Sequence, residues 1–210
     1  MNTERTNIGW GFWIAWVLAS IVGFGMGSLI GMSVSYALLP EMGITDEFGV
    51  AHLLMFGTML GTTSGFLQWV VLREKVAQAG WWVLASAMGF AIAGGTLGSI
   101  GINENYLTAG ILFAVLFGVA GGIMQALVLK RAQIARVGLW VLVNILGSVV
   151  GAISVPVAEA ISAATGNYDL SAMVFGLLLG AGLGAIPGAV LVWLLRQSQT
   201  SDFQGMVTAR

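Results

Sequence analysis

The chain of 210 residues contains no cysteine and only three prolines. Without cysteine there is no disulfide framework, no thiolate nucleophile and no cysteine-held metal. Charge is also scarce. Only 8% of residues are Asp, Glu, Lys or Arg, against about 25% in a soluble domain. The central parts of the long apolar stretches carry none of these residues and no histidine. Proton relays, voltage sensors, intramembrane aspartyl proteases and ion-coupled transporters depend on intramembrane ionisable groups, so their absence argues against all four. There is no Walker loop, no HExxH and no pair of carboxylates within one apolar stretch, so no motif for catalysis or for a bound cofactor or metal is present. The expectation is a protein that is not an enzyme.

What the chain does have is apolar residues, at 58%, and 31 glycines. No soluble core could hide so much apolar surface, so the solvent must be lipid. Glycine at about twice ordinary usage lets helices in a bilayer approach backbone to backbone. Six stretches, about 10–38, 49–72, 81–102, 107–129, 139–161 and 171–195, are long enough for a hydrocarbon core of about 30 Å. They are too long and too uniformly apolar for the alternating strands of a membrane barrel. The first stretch reads as a retained helix rather than a signal peptide, because no small-residue cleavage site follows a short apolar core. The fold class expected is all-α integral membrane, with six transmembrane helices.

Basic residues set the orientation. Arg5, Arg73, Lys75, Lys130, Arg131, Arg136, Arg196 and Arg210 all fall on one side of the six spans. The other side carries Glu41, Asp46, Glu47, Glu104, Glu159 and Asp169. Both termini are therefore expected in the cytoplasm, with the protein in a plasma or inner membrane. The eight tryptophans, Trp10, Trp13, Trp16, Trp69, Trp81, Trp82, Trp140 and Trp193, lie toward the cytoplasmic ends, and Tyr36, Tyr106 and Tyr168 toward the outer ends. Aromatic belts at the two interfaces account for this distribution, so all eight tryptophans are expected to be interface anchors.

The chain also repeats itself. "WVLAS" occurs at Trp16–Ser20 and again at Trp82–Ser86, and "WVLVN" at Trp140–Asn144; Gly23, Gly89 and Gly147 follow three residues later. Each second helix aligns too: Gly65 to Gln68, Gly122 to Gln125, and Gly188 to Leu191, each ending five residues on in Arg73, Lys130 and Arg196. The expectation is one membrane domain, 1–210, of three parallel two-helix hairpins (8–76, 77–137 and 138–197) with pseudo-threefold symmetry, followed by a polar tail, 198–210. Small residues recur every four positions on the second helices, at Gly57, Gly61, Gly65; Ala114, Gly118, Gly122; and Gly180, Gly184, Gly188. Residues four apart share a helix face.

The polar residues inside the spans are the candidate site: Ser20, Gln68, Ser86, Gln125 and Asn144. Gln68 and Gln125 lie five residues before a basic residue, and Ser20, Ser86 and Asn144 four residues inside a tryptophan. At 1.5 Å per residue these positions share a depth. Interhelical pairs, Ser20 with Gln68 and Ser86 with Gln125, are expected. The third copy has Leu191 where the others have glutamine, so Asn144 lacks its mate and must find another helix, a water or a ligand. This copy alone has prolines in its helices, Pro156 and Pro187. They are candidate hinges, because each frees the carbonyl four residues earlier. His52, the sole histidine, reads as an interface residue hydrogen-bonded to a loop.

Three parallel two-helix repeats resemble the layout of mitochondrial carriers, but the carriers' repeated proline–acid–base signature is missing. Six helices in about 200 residues is similar, in size and count, to the solute-capture subunits of vitamin transporters. Neither resemblance carries a residue over. The function expected is a non-enzymatic structural or accessory membrane subunit. The alternative is a binding or permeation module for a small neutral or amphipathic solute. The expected partners are the lipid bilayer and another membrane protein, with no nucleic acid.

Overall fold

The computed structural model describes residues 8–45, 49–100 and 106–208. Among these it is all helical, with no strand. The helices are α1 (Trp10–Leu38), α2 (Val50–Leu72), α3 (Trp81–Ile100), α4 (Tyr106–Arg131), α5 (Val137–Gly151), α6 (Ser154–Thr165) and α7 (Tyr168–Thr208), with a short 3-10 turn, Pro40–Met42, after α1. Six stretches are long and apolar enough to cross a membrane, α5 and α6 together making the fifth. This is a multi-pass membrane protein.

The helices close a ring in chain order. Each of α1 to α4 packs on the next, α5 packs on α7, and α7 returns to α1; α6 rests on α7 and touches α4. At many contacts no side chain fits between the backbones. A methyl added at Gly65 of α2 would lie 2.8 Å from Ser86 Cβ of α3, and one at Gly184 of α7 would lie 2.9 Å from Ser20 Cβ of α1. At Gly57 and Gly61 it would strike the carbonyls of Phe90 and Ser86. In α1, Gly23 faces Ser64 of α2; in α3, Gly89 faces Gly121 of α4; in α5, Gly147 faces Pro187 of α7.

Two apolar layers fill the ring. One holds Trp16, Trp82, Trp140, Leu72, Leu129 and Leu195, closed off by Ile8, Val76 and Ile134 from the terminal segment and the loops. The other holds Phe24, Phe56, Phe90, Phe113, Phe117, Leu60 and Leu183. The loops can fold back because their chain reverses at Gln78, Gln133 and Arg136, all at positive φ.

One expectation needs correction. The fifth span is not one helix: it breaks at Ala152–Ile153. Pro156 is the third residue of α6, where its ring would otherwise clash with the Ala152 carbonyl. The break is bridged by tight bonds, Ala152 N–H to Val149 O at 3.2 Å and Val155 N–H to Ala152 O at 3.0 Å. The segment expected as a polar tail, from residue 198, continues α7 as far as Thr208. Parts of the acidic loops, including Asp46, Glu47 and Glu104, lie outside the described residues, as do Arg5 and Arg210.

Candidate functional site

The polar residues of the spans meet around three tryptophans. Trp16, Trp82 and Trp140 come from α1, α3 and α5, and each is exposed to no more than 1%. Their rings form a closed triangle of edge-to-face contacts, with centroids 5.7 Å apart for Trp16–Trp82, 5.6 Å for Trp82–Trp140 and 6.1 Å for Trp16–Trp140. Such pairs contribute about 0.5–1.5 kcal/mol beyond the area they bury. The belt reading was wrong for these three. Trp10 (77% exposed) and Trp81 (49%) do sit outside. The signal that separates them was in the repeats: the core tryptophans lie four residues before Ser20, Ser86 and Asn144, on the same helix face.

A buried indole N–H needs an acceptor. Trp82 Nε1 donates to Gln68 Oε1 at 2.9 Å. The other end of that amide, Nε2, donates to Ser20 Oγ at 3.1 Å, and Ser20 Oγ donates to Trp16 O at 2.9 Å. Because an indole can only donate, the Gln68 oxygen must face it and the nitrogen must face the serine. One glutamine thus ties three helices, α1, α2 and α3. Gln125 repeats the arrangement: it accepts from Trp140 Nε1 at 3.3 Å and donates to Ser86 Oγ at 2.9 Å. It ties α3, α4 and α5.

The third position differs. Leu191 is fully buried and offers no acceptor. Trp16 Nε1 is buried with no hydrogen-bond partner among the described residues. Asn144, expected to reach another helix, a water or a ligand, donates instead to the carbonyl of its own Trp140 at 2.8 Å. Other bonds tie α7 to α1 and to the segment before it: Trp13 Nε1 to Ala185 O at 3.0 Å and Arg196 Nε to Ile8 O at 2.6 Å.

The two prolines are not alike. Pro156 sits at the break between α5 and α6, whereas Pro187 lies inside an unbroken α7. A methyl at Gly147 would lie 3.1 Å from Pro187 Cδ, so the proline ring fills the α5–α7 contact. His52 is buried at the opposite end of the spans, edge-on to Tyr36 at 4.9 Å.

Chemically, the centre is neutral. It contains indoles, carboxamides and hydroxyls; the Trp82 and Trp140 indoles and the Gln68, Gln125 and Asn144 amides donate to oxygens within it, and the Trp16 indole does not. Among the described residues no three His, Asp or Glu side chains gather as metal ligands would. No protein-family model matches the chain, and no curated protein or solved structure shows significant similarity to it.

Proposed function

We propose that this protein is a non-enzymatic structural or accessory membrane subunit: a six-span bundle of three parallel hairpins about a pseudo-threefold axis. One observation carries the reading. Four of the five polar side chains that could line a site, Ser20, Gln68, Ser86 and Gln125, are used to fasten helices to one another, around a buried triangle of tryptophans. A ligand site of ordinary kind is a cavity of about 300 Å³ or more with a few converging polar groups. Here Phe24, Phe117, Leu60, Leu97, Leu179 and Leu191 are all fully buried within the same interior.

Three recurrences support the repeat. Gln68 and Gln125 make the same pair of bonds from α2 and α4. The glycines of α2 and α7 press on the next first helix around the ring, α3 and α1. Gly23, Gly89 and Gly147 meet Ser64, Gly121 and Pro187, which lie four residues before Gln68, Gln125 and Leu191. The proposed orientation has both termini in the cytoplasm of a plasma or inner membrane, and the one-sided basic residues support it.

The test is gentle purification from native membranes followed by mass spectrometry of what comes along. A membrane-protein partner in fixed ratio is the expected result; a chain that purifies without any protein partner overturns the accessory-subunit reading.

A second reading, a binding or permeation module for a small neutral or amphipathic solute, is favoured by the unpartnered Trp16 Nε1 beside the irregular third hairpin. It requires a small molecule in the same preparation that is lost on Asn144→Leu.

A further inference from the structure

The loop between α4 and α5 is charged in one sense only. Together with the last turn of α4 it carries Lys130, Arg131 and Arg136, all exposed, and from Asn105 to Ala158 the sequence has no acidic residue. The α2–α3 loop differs, because Glu74 stands between Arg73 and Lys75. The two arginines that flank this loop each lie against an indole ring. Arg131 lies over the Trp81 ring of α3 at 5.5 Å, and Arg136 over the Trp193 ring of α7 at 5.5 Å. Trp81 and Trp193 are themselves partly exposed at the end of the spans, where aromatic rings mark headgroup level. Each indole therefore holds a guanidinium where lipid phosphates lie, and it leaves the guanidinium edge free to donate. Beside Arg136, Gly138 has nothing within 4 Å of where a side chain would begin, so that surface is open.

We infer that the α4–α5 loop is a docking surface for anionic phospholipid, with Arg131 and Arg136 meeting the phosphodiester as planar donors and Lys130 adding a point charge. A guanidinium can donate two parallel hydrogen bonds to a phosphate. A zwitterionic headgroup offers the same phosphate but adds a cation that this acid-free loop would repel. The ordering of the two arginines by their indoles lowers the entropy lost on binding. The inference does not depend on sidedness, nor on the accessory-subunit reading, because it asks only which headgroup the loop selects.

The experiment is native mass spectrometry of the full chain in detergent, titrated with phosphatidylglycerol and phosphatidylcholine of matched acyl chains. Each basic residue at a surface contributes roughly fivefold to anionic-lipid affinity. The wild-type chain is expected to retain phosphatidylglycerol at least about fivefold better than phosphatidylcholine. The variant Lys130→Gln/Arg131→Gln/Arg136→Gln is expected to lose that preference, and Arg73→Gln/Lys75→Gln to keep most of it. Arg136→Gln alone, read in case the triple variant fails to fold, is expected to lose about fivefold. Equal retention of both lipids by the wild-type chain would overturn the proposal. So would an unchanged preference in Arg136→Gln, or displacement of the lipid preference by millimolar inorganic phosphate, which would mark a site for the free anion.

Discussion

Trp82 donates its indole N–H to Gln68 Oε1 at 2.9 Å, from α3 to α2, and both side chains are buried. The same glutamine's nitrogen bonds Ser20 of α1. A single amide therefore sets the spacing of three helices. In a bilayer this matters more than its energy suggests, because lipid is as apolar as leucine and does not itself press helices together.

Replacing Gln68 with leucine removes both bonds and leaves Trp82 Nε1 buried without an acceptor. The expected loss of stability is about 1–3 kcal/mol, read from thermal unfolding in detergent. The Gln68→Leu/Trp82→Phe double variant should lose less than the sum of its single changes, by about 0.6–1.7 kcal/mol. Strict additivity would mean that the bond contributes nothing.

Leu191→Gln should act in the opposite sense. Gln and Leu are similar in volume, and Trp16 Nε1 already lies buried without a partner. A gain of about 0.6 kcal/mol is expected in the same assay, the average for an interhelical bond in membrane proteins. The gain should vanish in Trp16→Phe, where no indole N–H remains. A loss as large as that of a glutamine placed at Leu194 would count against equivalence of position 191 with positions 68 and 125.

Gly61→Ala should be among the most damaging single-methyl changes. The new methyl would run into the Ser86 carbonyl, and relief requires α2 and α3 to separate. Overpacking of this kind costs about 1–3 kcal/mol. Gly138→Ala, with open space around it, should be neutral or gain up to about 1 kcal/mol from helix propensity.

Sidedness can be measured cleanly because the chain has no cysteine of its own. Single cysteines at Gln78 and Gln133 should resist a membrane-impermeant maleimide in intact cells and react after permeabilisation. Cysteines at Thr45 and Asn167 should react in both. The reverse pattern would refute the orientation argued from the basic residues.

Much of the centre was legible before any coordinates. Gln68 and Ser20 lie at equal depth because helix rise is constant, and each shares a face with glycines, so their pairing follows from arithmetic on the sequence. The same arithmetic for Asn144 finds Leu191 opposite and stops there. That the amide would turn back to Trp140 O was not readable, because bonding within a helix competes with bonding between helices and only the distance to α7 decides between them. The tryptophans divide for a related reason. Trp81 and Trp82 are neighbours of identical type, yet one lies at the surface and the other in the central triangle.

Apolar run length, the near absence of charge and the one-sided placement of lysine and arginine by themselves determined that this is a six-span membrane protein, because a bilayer of fixed thickness admits few other readings. Which glycine touches which helix, which three tryptophans meet at the centre and where the fifth span breaks were decided only by tertiary structure. The physical reason is that a span is apolar on every side. With lipid outside and leucine inside equally dry, no amphipathic stripe in the sequence distinguishes the face that packs from the face that meets lipid, and close steric fit between helices makes the choice.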